Sequence, residues 1–220
     1  MHDTLKNLLK IIDNVKLNIS IEDKNTVFPK VIAVSKTFKL DRIMPLIKHG
    51  HLDYGENKVQ EAVEKWTDVK KENKNIKLHL IGRLQTNKVK TALKIFDYIH
   101  SLDSKKLADK ISSNQKDNNL EKKFFIQVNI GNEEQKSGIA ESELPNFYNY
   151  CKGLKLNIIG LMCIPPLNED SGKYFIKMKE LNKKLGLKEL SMGMSADYLN
   201  AIKYGSTFVR IGSDIFGQRS

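Results

Sequence analysis

Cysteine is scarce in this chain: Cys151 and Cys163 are the only two among 220 residues. Two thiols cannot build a disulfide framework or, between them, a tetrahedral zinc site, so reduced buried thiols are expected. Proline is limited to five residues, and no Pro/Ser/Gly-rich tract interrupts the chain, which excludes a collagenous or low-complexity protein. The longest nearly unbroken apolar run, Ile158 to Leu167 (IIGLMCIPPL), contains two prolines and is about half of the ~20 residues that a membrane-spanning helix needs. The N-terminus mixes Asp3, Lys6, Lys10 and Asp13 among its apolar residues, which is neither a secretory nor an organellar leader pattern, so a cytoplasmic protein is expected. Arginine is also rare. The chain has 37 basic and 26 acidic residues, a formal charge of +11, yet only Arg42, Arg83, Arg210 and Arg219 are arginines. Sequence-reading nucleic-acid binders favour arginine for bidentate contacts, whereas scattered lysines coat solvated helix faces, so no nucleic-acid partner is expected.

With 40% apolar and 29% charged residues the composition is that of an ordinary globular protein. One pattern recurs along it: a short apolar or β-branched run, a loop, then a polar stretch with helical spacing. The predicted strands are Val31 to Lys36, Asp53 to Asn57, Lys77 to Gly82, Tyr98 to Leu102, Lys123 to Ile130, Asn157 to Ile164, Glu189 to Gly193 and Phe208 to Gly212. Their starts lie 19 to 34 residues apart, the room that a βα unit needs. Eight such units predict an α/β fold with a single (β/α)8 TIM barrel over residues 1–220; an open doubly wound sheet is the rival. Before the first strand, Leu5, Leu8, Leu9, Ile12, Val15 and Ile19 repeat at steps of three and four, predicting an extra amphipathic helix that covers the N-terminal end of the barrel. Neither G-x-G-x-x-G after the first strand nor G-x-x-x-x-G-K-[ST] occurs; GRLQTNK (Gly82 to Lys88) lacks the second glycine.

In a parallel barrel, chemistry collects at the C-terminal ends of the strands. The first strand ends in Lys36 at the edge of a strongly apolar run, where desolvation favours a free amine that condenses with a carbonyl; the alternative is a lysine pointing to solvent. In the last strand Phe208, Arg210 and Gly212 share one face and Val209 and Ile211 the other, so either Arg210 or two aliphatic side chains point inward. The step Gly212-Ser213 offers N–H groups to an anion, in a region where barrels bind phosphate. After the seventh strand, Ser195 either joins that anion site or serves as N-cap of a helix through Asp197 to Lys203. A carbonyl-seeking lysine, a phosphate cup and an inward arginine together describe a site for pyridoxal 5'-phosphate, with a Schiff base on Lys36 and Arg210 facing the ring nitrogen. His49 and His51 are expected as exposed turn residues and Trp66 as packing.

The segments VIAVSKTF, YGENKVQE, HLIGRLQTNK, IHSLDS, VNIGNEEQKSGI, GLMCIPP and LSMGMSADYLNAIKYGSTFVRIGSDIFGQR, spanning about residues 28 to 219, resemble the pyridoxal phosphate homeostasis protein family. The resemblance implies an alanine-racemase-like barrel holding one pyridoxal 5'-phosphate (PLP), with Lys36 at the position of the family's Schiff-base lysine. It implies phosphate contacts from Ser195, Gly212 and Ser213, the ring nitrogen approached by Arg210, and Asn57 at the cofactor pocket. Ser213 stands where threonine is common, and its hydroxyl makes the same contacts. A permanently charged arginine at the ring nitrogen disfavours protonation of that nitrogen and makes the cofactor a poorer electron sink. Racemases resembling this barrel take a second base from a tyrosine of a C-terminal β-domain, and the chain ends at Ser220, so a PLP carrier without substrate turnover is expected. Apo-enzymes are its implied recipients, and a monomer is the simpler arrangement. The alternative is a PLP-dependent amino-acid racemase, with Tyr54, Tyr198 or Tyr204 as substitute base. Lys136 is either a secondary pocket lysine or a surface residue.

Overall fold

Period-two alternation in the predicted strands translates into two layers: one set of side chains fills the inside of a closed barrel and the other meets the helices around it. The computed structural model describes residues 1–19, 28–118 and 122–218. Helix α1 (Asp3–Asn18) precedes β1 (Lys30–Val34), α2 (Leu40–Lys48), β2 (Asp53–Glu56), α3 (Val59–Glu72), β3 (Lys77–Leu80), α4 (Val89–Ile95), β4 (Tyr98–Leu102) and α5 (Lys105–Asn118). There follow β5 (Lys123–Gln127), α6 (Leu144–Gly153), β6 (Ile158–Met162), α7 (Ser171–Lys184), β7 (Glu189–Met194), α8 (Tyr198–Lys203), β8 (Phe208–Ile211) and α9 (Ser213–Phe216). All eight strands are parallel, and β8 returns to pair with β1 from Lys30 opposite Phe208 to Ala33 opposite Ile211. That closure excludes the open doubly wound sheet. Most strands stop a few residues short of their predicted ends, because the chains diverge into loops there and lose ladder partners.

Val31, Ala33, Val209 and Ile211 point outward and pack with the apolar faces of the helices, such as Ala62 and Trp66 of α3. Ile32, Val34, Tyr98, Phe125, Met162 and Phe208 form a separate cluster inside the barrel. The interior is also aromatic and polar: the His79 ring stacks on Tyr98 at 4.4 Å and His100 on Phe125 at 4.3 Å, with Phe208 edge-on to Phe125. Arg210 is inward and Val209 outward, which decides the face of the last strand.

Helix α1 does not cover the N-terminal end of the barrel as predicted. Its buried residues Leu8, Ile11 and Val15 pack beside α9, α2 and α8. Thr4 Oγ1 donates to Arg42 O (3.0 Å), Asn7 Nδ2 to Ile215 O (3.1 Å) and Asn14 Nδ2 to Tyr198 Oη (3.3 Å). Those acceptors all follow C-terminal ends of strands. The cause lies in α9: four residues are too few to shield the outer face of β8, and α1 supplies the missing helix.

Burial holds the pKa of His79 below its ordinary value and that of His100 well below it, the latter pushed further by His79 and Arg210. An unfolded chain takes up protons on these groups near pH 6.5 that the fold refuses, so stability falls as pH drops below about 6.5, by up to ~1.4 kcal/mol per pH unit for each histidine. His100→Gln is expected to make that slope shallower by about one proton, as read from urea unfolding at pH 7.5, 6 and 5; an unchanged slope refutes the buried neutral state of His100.

Candidate functional site

Continuing the alternation past the strands' ends puts Lys36 after Val34, Gly212 after Arg210, Asn57 after Gly55, and Ile164 after Met162 on the inside of the barrel mouth. The seventh strand reaches the mouth differently. Its register with β8 shifts between Ser191 and Met194, and Gly193 there has φ +90°. A Cβ at Gly193 would lie 2.6 Å from Ala201 Cβ, so glycine alone permits a turn that delivers Met194, Ser195 and Ala196 to the mouth. The result is a cleft of about 640 Å³. Lys36, Asn57, Ser195, Arg210, Gly212 and Ser213 all line it, among Val34, Phe38, Ile81, Ile164 and Met194. The six residues singled out in the sequence therefore meet in one place.

Arg210 is 5% exposed; its Nη1 donates to Ser191 Oγ (2.7 Å) and its Nη2 to Cys163 O (2.9 Å). Burial lowers its pKa, against the raising influence of Cys163 and Asp197, and the guanidinium remains a cation. Cys151 and Cys163 are buried thiols, each pushed up to about 12 by desolvation, which makes them inert.

Ser195 is not an N-cap. Asp197 holds that place before α8, and its Oδ1 accepts from Met194 N–H at 2.7 Å, fixing the turn instead. Among the described residues no backbone carbonyl accepts from the N–H groups of Ser195, Ala196, Gly212 or Ser213. Two serine hydroxyls, several N–H donors, a guanidinium and a lysine lining one cleft fit an anionic aldehyde such as PLP.

Comparison with known proteins gives the same direction. The model of the alanine racemase N-terminal domain family matches residues 11–220. A pyridoxal phosphate homeostasis protein of Aquifex aeolicus is 41% identical over 200 residues, covering 86% of this chain and 87% of that protein. The chain belongs to the pyridoxal phosphate homeostasis protein family. The human family member is 38% identical over 218 residues, covering 90% of this chain and 79% of that one. The solved structure of PipY from Synechococcus elongatus with PLP bound superposes with a TM-score of 0.82 at 28% identity, covering 97% of this chain and 100% of that chain.

The other expected residues are not among those lining the cleft. Tyr54 is fully buried against Trp66 and His51, Tyr198 Oη accepts from Asn14 of α1, and Tyr204 lies beside Gly172 of α7. Lys136 donates to Pro165 O (3.1 Å), pairs with Glu133, and borders a neighbouring hollow with Arg83 and Asp103. His49 is exposed, while His51 is half-buried with its Nε2 3.0 Å from Asp53 O. Among the described residues no set of three or more His, Cys, Asp or Glu is placed to hold a metal, and no helix is long and apolar enough to cross a membrane. Arg219 lies outside the described residues.

Sequence reasoning missed what stands behind Lys36. Thr37 adopts φ +68°, unusual for a β-branched residue, and its N–H donates to Glu61 Oε1. Lys65 Nζ joins Glu61 Oε1 (2.9 Å), Glu56 Oε1 (3.0 Å) and Ser35 O (2.9 Å), while Ser35 Oγ and Trp66 Nε1 also donate to Glu56. Glu56 is completely buried; burial raises its pKa, opposed chiefly by Lys65. The cluster therefore pins the backbone on both sides of Lys36. Glu56 and Trp66 have helix-and-strand positions that read as packing, and only the spacing of Glu61 and Lys65, four apart on α3, offered a signal. Lys65→Met strands the Glu56 carboxylate and is expected to cost about 3–5 kcal/mol in chemical denaturation; a loss under ~1 kcal/mol would contradict the cluster's role.

Proposed function

We propose that this chain holds one PLP in the barrel mouth, covalently on Lys36, and serves PLP homeostasis in the cytoplasm as a single-domain carrier that hands the cofactor to apo-enzymes. The observation that carries this reading is the convergence of Lys36, Arg210 and the Ser195/Gly212/Ser213 donors on one cleft, and the PLP-bound structural relative supports it. When bound, the cofactor supplies an aldehyde that condenses reversibly with a primary amine and releases water.

The chain's own residues divide the work. Ser195 and Ser213 hydroxyls and the N–H groups around Gly212 hold the phosphate, which anchors the ligand whether or not the covalent link is made. Lys36 supplies the amine, positioned by the pinned Ser35–Thr37 segment. Arg210 faces the ring nitrogen, where its fixed charge disfavours a second positive charge. Asn57 would line the cofactor pocket beside Gly82, whose missing side chain admits the Asn57 backbone, since a Cβ there would lie 2.4 Å from Asn57 O. A carrier needs reversible attachment and an accessible mouth but no acid or base opposite Lys36, and the positions of Tyr54, Tyr198 and Tyr204 away from the cleft favour that reading over racemisation. Monomeric behaviour and the absence of a nucleic-acid partner belong to the same proposal.

Borohydride reduction of the PLP-loaded protein followed by mass mapping is expected to label the peptide bearing Lys36 alone, and Lys36→Ala to lose the visible band while retaining weaker, phosphate-anchored binding. Ser195→Ala should weaken retention about tenfold or more, the worth of one hydrogen bond to a charged group. Label spread over many lysines, or equal retention in all variants, would overturn the site. Exchange of an amino-acid α-proton for deuterium, lost in Lys36→Ala, would replace the carrier with an enzyme.

A further inference from the structure

Five polar side chains stand in single file inside the barrel. Asp53, the first residue of β2, lies at the end where the strands begin, with its side chain 18% exposed, and its Oδ1 is 3.0 Å from His79 Nε2. His79 Nδ1 is 3.0 Å from His100 Nε2, and His100 Nδ1 is 2.8 Å from Ser191 Oγ. Ser191 Oγ accepts from Arg210 Nη1 at the cleft. His79, His100 and Ser191 have no solvent exposure. Of the five, the cofactor reading uses only Arg210.

The directions of these bonds follow from the two ends. A guanidinium only donates, so Arg210 gives a hydrogen to Ser191. At the other end burial pushes the Asp53 carboxyl up, but the His79 hydrogen bond and the nearby Lys30 ammonium outweigh it and hold the group below its ordinary value. A carboxylate only accepts, so His79 carries its hydrogen on Nε2. Both imidazoles are neutral: burial lowers His79 despite Asp53 and Asp97, with Lys30 adding to the lowering, and it lowers His100, which His79 and Arg210 also face. Neutral His79 then presents a bare Nδ1, so His100 must donate from Nε2. The bare Nδ1 of His100 in turn takes the Ser191 hydroxyl hydrogen. Only one arrangement satisfies every member, and in it each hydrogen points from Arg210 toward Asp53.

We propose that Asp53, His79, His100 and Ser191 form a charge relay of positioning residues that holds Arg210 as a donor and couples the carboxylate at the end where the strands begin to the ligand ring at the barrel mouth. The coupling to the ring rests on the PLP reading; the relay itself does not. Aligned hydrogen bonds polarise one another, so the negative charge of Asp53 makes Ser191 Oγ a stronger acceptor for the guanidinium. The file also has a second setting. With one proton added to the file, His79 carries hydrogens on both nitrogens and the single hydrogen of His100 sits on Nδ1 instead of Nε2: His79 donates to Asp53 and to His100 Nε2, His100 donates to Ser191 Oγ, and the Ser191 hydroxyl hydrogen turns away from His100.

Long-range proton–nitrogen correlation spectra of the full chain labelled in its histidines test the relay directly, first without PLP at pH 7. Both His79 and His100 are expected neutral with the hydrogen on Nε2, a result that needs no variant. Asp53→Asn replaces an obligate acceptor by a group that donates or accepts, and should turn both rings to mixed tautomers, whereas Ser191→Ala should leave both on Nε2. A wild-type His100 protonated on Nδ1, or a His100 indifferent to Asp53→Asn, overturns the relay. In PLP-loaded protein Asp53→Asn should move the pH midpoint of the visible band downward, because a negative charge is gone; an unmoved midpoint with altered tautomers overturns the coupling. Wild-type protein that shows the expected tautomers but takes up no PLP upholds the relay and overturns the cofactor reading instead.

Discussion

Arg210 keeps its proton and is only 5% exposed on the inner face of β8, so the interior around it has to supply most of its acceptors. Ser191 Oγ of β7 and Cys163 O, just past the end of β6, do so. Because a serine that accepts from a guanidinium still has a hydrogen to place, His100 is drawn into the same network, and through it His79 and Asp53. One buried charge thereby accounts for a polar file through a barrel otherwise filled with aromatic and aliphatic side chains. The stacking of His79 on Tyr98 and of His100 on Phe125 lets the imidazoles serve as packing and as hydrogen-bond partners at once.

The open end of the barrel is organised by a second buried ion, on the outer side of the wall. Glu56 lies under α3 with Lys65, and the lysine's remaining hydrogens tie down Ser35 O and Glu61, which in turn holds the left-handed Thr37. Lys36 thus projects from a short segment fixed at both neighbours. After the neighbouring strand β8 and at the end of β7 beyond it, the Gly212-Ser213 step and the Gly193 turn present hydroxyls and N–H groups without spending them on the backbone. The Lys36 amine, the Ser195 and Ser213 hydroxyls and the Arg210 cation reach the cleft from β1, β7 and β8, and β1 meets β8 only through barrel closure, so their mutual geometry depends on it.

The architecture was legible because strand alternation and helical spacing are local. Eight runs of the right period at regular intervals imply eight βα units, and the strand-end rule then points to Lys36, Ser195, Arg210, Gly212 and Ser213, to which the family resemblance adds Asn57; all six line the cleft. Ser195 as a helix cap was a reasonable local reading, but Asp197 holds the place before α8 and its carboxylate accepts from the Met194 N–H. Helix α1 was recognised as amphipathic and misplaced, since a hydrophobic stripe states that a helix must be covered without stating by what. Histidines at inward positions of β3 and β4 were visible in principle from the same alternation that placed Arg210.

By itself the sequence determined the strand and helix periods, the number of units, and which chemically active residues stand at strand ends, because each of these depends on neighbours within a few positions. Only the tertiary structure decided that Arg210 faces inward, that α1 replaces the short α9, and that His100 meets Ser191 across 91 residues of chain. The reason is register. Where two distant strands meet is set by the closure and stagger of the whole sheet, and no local pattern carries that information.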